Sequence, residues 1–96
     1  MRYFHRTSLG PDAVLAEADR FFGGRLSPAG SAARQRAYSG SIGKITVRVA
    51  PEGGHYTNVT VETDQVGESE ADKLAKRFLA VAHQKVEAGH VLRGAY

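Results

Sequence analysis

The fold is decided by residues 44–64, which read KITVRVAPEGGHYTNVTVETD. In residues 44–49 the apolar side chains occupy every odd-numbered position, and this period of two is typical of a strand with one buried face. The alternation resumes in residues 56–64, after a turn that contains Gly53 and Gly54. The β-branched content of both segments is high, as strands prefer. The pattern therefore predicts a β-hairpin whose odd-numbered residues face the core.

The register of this hairpin follows from the requirement that the two apolar faces coincide, so that odd residues oppose odd residues. A three-residue loop at residues 52–54 satisfies this condition and supplies glycine for a left-handed turn position. It predicts Val47 opposite Val59 and Ile45 opposite Val61. It also predicts Lys44 opposite Glu62 on the polar face, a favourable cross-strand pair. A register shifted by two residues would preserve the same parity.

A long amphipathic helix is predicted after the hairpin, from Ser69 to Gly89. Ser69 and Asp72 have the S-x-x-D spacing of a helix start, and Gly89 suits the C-cap. Apolar residues recur at spacings of three and four and form one stripe along the helix. They are Ala71, Leu74, Ala75, Phe78, Leu79, Ala82 and Val86. We expect this stripe to pack on the odd-numbered face of the hairpin.

The first half of the chain completes the predicted architecture. Residues 3–7 are a plausible first strand, and Pro11 opens a helix that Gly23 and Gly24 end. Residues 25–33 are small and turn-rich and are interpreted as a loop, followed by a strand at Arg34–Ser39. The predicted order is β-α-β-β-β-α in a single α+β domain over residues 1–96, with residues 90–96 a loosely attached tail. We expect an antiparallel sheet of about four strands, both helices on one face, and Arg34–Ser39 as an exposed edge.

The composition limits the class of protein. With 96 residues and no cysteine, the chain has neither disulfides nor thiol chemistry. No apolar run approaches the ~18 residues of a transmembrane helix, and residues 1–7 lack the apolar core of a signal peptide. We therefore expect a cytoplasmic protein without a membrane partner. A chain this short buries a modest core, which favours a homo-oligomer, most simply a homodimer.

The charge is unevenly distributed along the chain. Residues 1–50 carry 8 Lys and Arg against 3 Asp and Glu, whereas residues 51–96 carry 5 against 7. The basic first half could bind an anionic partner or the acidic half of another subunit. Basic and aromatic residues interleave on the predicted strands at Arg34, Arg36, Tyr38, Lys44, Arg48 and Tyr56. We predict that this cluster binds a partner or nucleic acid; the alternative is a solvated sheet face or a subunit interface.

No catalytic or metal-binding constellation is evident. The four histidines, at positions 5, 55, 83 and 90, lack the helical spacings that make metal sites. Glu62 and Asp64 share a strand face and could pair as acid and base, but Lys44 and Arg48 nearby favour salt pairing instead. We predict no catalytic residue, no metal and no cofactor, and an enzyme is the least supported class.

The hairpin of residues 45–62, followed by the long helix through Phe78 and Leu79, resembles the end of a helix-grip domain of the START or polyketide-cyclase-like kind. The chain departs from that family because it is too short for the usual seven strands. The resemblance implies a hydrophobic ligand between sheet and long helix, in a reduced pocket beside Val61, Phe78 and Phe22. A half-saddle like that of TATA-binding protein has a similar order of elements.

Three functions remain open at this point. The first is a small non-enzymatic binding or assembly module, homodimeric, that uses the open sheet face or an edge. The second is nucleic-acid binding through the basic sheet face. The third is binding of a small apolar ligand, as the helix-grip resemblance implies.

Overall fold

The structure, a computed structural model, describes residues 1–66 and 69–94, with side chains as far as His83. The elements in chain order are β1 (Arg2–Thr7), α1 (Pro11–Gly23), β2 (Ser27–Ala32), β3 (Gln35–Gly40), β4 (Gly43–Glu52), β5 (Tyr56–Thr63) and α2 (Glu70–Gly94). The fold is therefore α+β as predicted, with five described strands rather than about four. Among the described residues, no helix combines the length and the apolar character needed to cross a membrane.

The five strands form one antiparallel sheet in the order β1-β5-β4-β3-β2. Strands β2 to β5 follow one another as a meander, and β1 adds to the outer side of β5. Because β1 and β2 occupy opposite edges, α1 must carry the chain from one edge to the other. It crosses on the face of the sheet that both helices cover, where it contacts β3 and β4.

The strand missed by the sequence pattern is β2, in the segment interpreted as a loop. It reads SPAGSA, and all six residues are exposed. It contains none of the β-branched or aromatic residues that mark strands, because neither of its faces packs in the core. Its register with β3 shifts between Pro28 and Gly30, as at a β-bulge. Backbone pairing with β3, rather than side-chain burial, makes this segment a strand.

The prediction of an exposed edge at Arg34–Ser39 is wrong. This segment is largely β3, which lies between β2 and β4 inside the sheet. The edges are β1 and β2. The error follows from the missing strand, since a sheet without β2 would end at β3.

The β4–β5 hairpin keeps the predicted parity with a register shifted by two residues. Val47 lies opposite Val61 and Ile45 opposite Thr63, so the predicted pairs of Val47 with Val59 and of Lys44 with Glu62 are wrong. The loop has three residues as expected, but they are 53–55, and both glycines in it have positive φ, 64° and 78°.

The core lies between the sheet and the two helices. The odd-numbered apolar residues of β4 and β5 are buried, as predicted, together with the inner faces of α1 and α2. The predicted stripe of α2 is buried from Ala71 to Ala82, with Leu79 half-buried. Three aromatic rings fill the centre: Phe22 lies 5.0 Å from Tyr38 and 5.1 Å from Phe78, centroid to centroid.

The start of α2 matches its prediction and the end does not. The Ser69 hydroxyl donates to Asp72 Oδ2 at 2.6 Å and accepts from the Asp72 amide at 3.1 Å, as the S-x-x-D spacing implies. The helix does not end at Gly89, since its backbone continues to Gly94. Most of the predicted tail, 90–96, is therefore helical, while residues 95 and 96 lie outside the described residues.

Candidate binding face of the sheet

Among the described residues, one face of the sheet carries no helix, and we call it the open face. It is built from the even-numbered residues of β1, β4 and β5 and the odd-numbered residues of β3, which the strand pairing places side by side. Its members are Arg2, Phe4, Arg6, Gln35, Ala37, Ser39, Lys44, Thr46, Arg48, Ala50, Glu52, Tyr56, Asn58, Thr60 and Glu62. Because the core is on the other side, these residues, apart from the buried Ala37, define the surface available to a partner.

A line of polar side chains crosses four strands of the open face. Arg2 Nε lies 3.5 Å from Glu62 Oε1, and Arg48 donates to the same carboxylate. Arg48 Nε also donates to Gln35 Oε1 at 3.1 Å. These exposed pairs add little stability, because water screens them. They hold the Arg48 guanidinium over the middle of the sheet.

Two aromatic side chains on the open face are exposed. Phe4 is 64% and Tyr56 51% accessible. The Arg6 guanidinium lies 5.7 Å from the centre of the Tyr56 ring, within the range of a cation–π contact, and it pairs with Glu52 at 3.0 Å. Phe4 contributes nothing to the core, so its ring is available for contact with a partner.

A shallow groove of about 530 Å³ crosses one end of the open face. Its floor is at Ala50, which pairs with Asn58 of β5. On the opposite side the groove reaches the β2–β3 turn, where the Arg34 carbonyl accepts a hydrogen bond from the Val49 amide at 3.0 Å. The small residues Ala32 and Ala33 line the groove together with longer polar residues, among them Arg48 and Asn58.

The predicted partner residues divide between the two faces. Lys44, Arg48 and Tyr56 lie on the open face, and Arg34 lines the groove at its end. Arg36 and Tyr38 belong to the helix side, because Tyr38 pairs with the core residue Ile45. The β3–β4 turn has two residues, between Gly40 and Gly43, so even residues of β3 face odd residues of β4. Arg36 and Tyr38 therefore do not share a face with Lys44 and Arg48, and the predicted cluster does not form one surface.

Tyr38 is a core residue, 1% exposed, rather than part of a binding surface. Its hydroxyl donates to Asp19 Oδ1 at 2.7 Å, and Arg36 Nε donates to Asp19 Oδ2 at 3.4 Å. Burial raises the pKa of Tyr38, and the hydrogen bond to Asp19 adds to the effect. The three residues tie β3 to α1.

The residues of the predicted apolar pocket are fully buried. Val61, Phe78 and Phe22 have no exposed surface, and the rings of Phe22 and Phe78 are in contact. Phe21 packs on Phe78 as well, with ring centres 5.8 Å apart. Protein side chains therefore occupy the space beside these three residues.

Glu62 and Asp64, the two carboxylates considered as an acid–base pair, both interact with other groups of the fold. Glu62 pairs with Arg2 and Arg48, and Asp64 accepts from the Lys44 amide at 2.8 Å. That backbone hydrogen bond is the main reason that the pKa of Asp64 is lowered. Within the described part of the chain, no three His, Cys, Asp or Glu residues cluster as a metal site would require.

One histidine pair was not visible in the sequence. His5 and His83 are 78 positions apart, yet their rings meet edge to face with centres 5.7 Å apart. Burial lowers the pKa of His5, and the nearby His83 lowers it further. Only the placement of α2 under β1 brings the two together, so no local spacing could have revealed them.

Sequence reasoning missed the contribution of β1 to the open face. Arg2, Phe4 and Arg6 alternate with Tyr3, His5 and Thr7, and this period of two was the available signal. It was weak because both sets mix aromatic and polar residues. The pairing of β1 with β5 shows which of the two sets lies on the open face, since Phe4 is opposite Thr60 there.

Comparison with family models, with curated proteins and with solved structures finds no match to this chain. The resemblance to helix-grip domains therefore stays a prediction. The function has to be argued from the geometry of the open face.

Proposed function

We propose that this chain is a non-enzymatic binding module that holds single-stranded nucleic acid on the open face. The observation that carries the proposal is the exposed Phe4 among arginines. Arg2 and Arg6 flank it on the same strand face, about 6.6 Å to either side at the spacing of strands. Arg48 lies two strands away, about 9.5 Å across the sheet. A ring on which a base can stack, surrounded by cations for phosphates, is what unpaired strands require.

The charge of the open face supports the same partner. Its strand residues include four cations, Arg2, Arg6, Lys44 and Arg48, and two carboxylates, Glu52 and Glu62. The excess of two positive charges is most of the formal charge of +3 of the whole chain. A polyanion therefore meets an attractive surface on this side of the molecule.

The second aromatic, Tyr56, extends the platform along β5. It is four residues from Thr60, the residue opposite Phe4, which corresponds to about 13 Å along the strand. Asn58 lies on β5 between Tyr56 and Thr60, and the two polar residues present amide and hydroxyl groups beside the rings. Among the described residues no helix projects from this face to enter a duplex groove, so splayed single-stranded bases fit it better than a double helix.

The chain could also form a homodimer by pairing the edge strands of two copies. The residues of both edge strands disfavour this. Edge β2 carries Pro28 and a shift in register, and edge β1 carries Arg2 and Arg6. Proline, bulges and charged side chains are the devices that hinder edge-to-edge pairing. A homodimer through an edge is therefore disfavoured, and a homodimer through the open face remains a prediction. The apolar-ligand hypothesis is also disfavoured, because Phe22, Val61 and Phe78 fill the core.

The proposal is tested by fluorescence anisotropy with a labelled single-stranded oligonucleotide of about 16 nucleotides, as DNA and as RNA. Phe4→Ala removes the stacking surface without disturbing the core, and a loss of 1–3 kcal/mol per stacked base weakens binding by about 5- to 150-fold. Arg77→Ala is the control, because Arg77 is an exposed cation on the helix side. We expect it to change the affinity by no more than about twofold.

The salt dependence provides an independent measurement. With two to four phosphate contacts on a single strand, a plot of the logarithm of the binding constant against the logarithm of the salt concentration has a slope of about −1.4 to −2.8. Raising the salt from about 50 to about 200 mM should therefore weaken binding about 7- to 50-fold. The proposal fails if no strand binds at the lower salt, or if Phe4→Ala and Arg77→Ala behave alike. A dimer in light scattering that Phe4→Ala dissociates would assign the face to a second copy instead.

A further inference from the structure

We infer that the contact between His5 of β1 and His83 of α2 is a pH-sensitive joint, which loosens the part of α2 around His83 from the sheet when both rings are protonated. The two rings meet edge to face with their centres 5.7 Å apart. His5 lies opposite the core residue Val59, so it is on the helix side of the sheet. The inference is therefore independent of the proposed function, which uses the open face.

The joint lies at the end of the part of α2 that is buried against the sheet. At the start of the helix, the buried Asp72 accepts hydrogen bonds from β1 and β5. Farther along, Ala82 is fully buried, and the next residue is the exposed His83. Strand β1 is paired with β5 along its whole length, so its backbone holds His5 in place. Repulsion between the two rings would therefore move α2 around His83 rather than β1.

The side chains around His5 do not compensate a second positive charge. The charged and titratable side chains described on this side of β1 are Tyr3 on β1 and Asp72, Lys76 and His83 on α2. The residues of β5 opposite and beside His5 carry no charge; they are Thr57, Val59 and Val61. Asp72 is the one carboxylate of this set, and its oxygens accept from Tyr3, Thr63 and Ser69. Lys76 adds a cation, 5.5 Å from the centre of the Tyr3 ring.

The direction of the pH effect follows from this environment. Burial lowers the pKa of His5 below the ordinary value of 6.5, and the nearby His83 lowers it further. The unfolded chain therefore binds more protons than the folded one below 6.5. The neutral pair stabilises the fold above that pH, and this contribution is lost as the pH falls below it. Two charges 5.7 Å apart repel by an amount equivalent to about threefold in an equilibrium constant in water, and about tenfold at half the dielectric constant of water.

Amide hydrogen exchange at about pH 8 and about pH 5 measures the joint, in a range where carboxylates stay ionised. The readout is the protection of the amides of residues 79–83 relative to those of Val47 and Val61 in the centre of the sheet. For the wild type we expect this relative protection to fall about 3- to 10-fold at the lower pH. His83→Gln should show no such fall, because it removes one of the two charges. His55→Gln is the matched control and should respond as the wild type does, because His55 is exposed in the β4–β5 loop.

The titration of His5, followed by NMR through the Cε1–H signal of its ring, is a second measurement. A pKa of His5 below 6.5 in the wild type that rises in His83→Gln supports the joint. A pKa at or above 6.5, or the same pKa in both proteins, overturns the inference. Equal relative protection of the wild type at both pH values also overturns it. A fall that persists in His83→Gln does the same, because the response would then arise elsewhere in the protein.

Discussion

The carboxylate of Asp72 holds three elements together, and its removal provides the sharpest test of how the structure is stabilised. Asp72 is fully buried near the start of α2. Its Oδ1 accepts from the hydroxyls of Tyr3 on β1 and Thr63 on β5, each at 2.9 Å. Its Oδ2 accepts from Ser69 at 2.6 Å. Asp72→Asn keeps the volume of the side chain and removes the charge.

The magnitude follows from these hydrogen bonds. A bond to a charged group contributes about 1.5–3 kcal/mol and a neutral one about 0.5–1.5, so each of the two Oδ1 bonds loses about 1 kcal/mol. The new amide nitrogen is a donor where Oδ2 was an acceptor, which forces the Ser69 hydroxyl to reorient. Together we expect Asp72→Asn to lower the free energy of unfolding by about 2–3 kcal/mol in urea titrations at neutral pH.

Asp12→Asn is the matched control. Asp12 is an exposed carboxylate in the first turn of α1, so its loss removes a comparable charge at a helix start without breaking buried bonds. We expect an effect of about 0.3–1 kcal/mol from the helix dipole alone. If Asp72→Asn is no worse than Asp12→Asn, the buried network does not stabilise the fold as argued.

The pH dependence checks the same reasoning with its sign. Burial opposes ionisation of Asp72, but the hydrogen bonds from Ser69, Thr63 and Tyr3 outweigh it and lower the pKa below the ordinary value of 3.8. A carboxyl whose pKa is lower in the folded state stabilises it above the ordinary pKa, and this contribution disappears as the pH falls through the folded-state pKa. The deficit of Asp72→Asn should therefore shrink when the pH is lowered below 3.8. A deficit that stays constant down to acid pH would contradict the role of the charge.

Two further predictions concern the other constraints of the fold. Gly43 has φ 127°, and a Cβ there would lie 2.6 Å from Asp64 Oδ1, so Gly43→Ala should destabilise by about 1–3 kcal/mol in thermal or urea unfolding. Gly10→Ala, where a Cβ meets nothing within 4 Å, should stay within about 1 kcal/mol, and equal effects would refute the strain argument. Tyr38→Phe removes the bond to Asp19 and should cost about 1 kcal/mol. Because burial raises the pKa of Tyr38, the free energy of unfolding of the wild type should fall as the pH rises above 10.0. Tyr38→Phe lacks the titrating hydroxyl, so an equal fall in both proteins would contradict this.

The parts of the fold that could be predicted are those where side chains carry the signal. The alternation in β4 and β5 predicts which residues are buried, and the S-x-x-D spacing predicts the start of α2. The register could not be predicted beyond its parity, because shifts of two residues bury the same face. Strand β2 could not be predicted because its side chains pack in no core and backbone pairing alone defines it.

The candidate site was predicted in part for a related reason. Lys44, Arg48 and Tyr56 follow from the parity of the hairpin, whereas Arg36 and Tyr38 were misplaced because a two-residue turn reverses parity between β3 and β4. Phe4 and the arginines beside it depend on the pairing of β1 with β5, between residues nearly sixty positions apart. The alternation within β1 alone does not show which of its two sets of residues lies on the open face.

Glu62 determines how the open face would bind a polyanion. Its carboxylate lies between Arg2 and Arg48 and neutralises part of their charge, so a phosphate must compete with it for either guanidinium. The electrostatic contribution is therefore smaller than four cations alone would provide, and in the proposed complex we expect stacking on Phe4 and Tyr56 to supply a larger share of the affinity. The same carboxylate keeps Arg48 in place across the sheet, beside the groove at Ala50. An arrangement of this kind favours recognition of bases over attachment to any phosphate backbone, and for that reason removal of Phe4 tests the proposal more directly than removal of any single arginine.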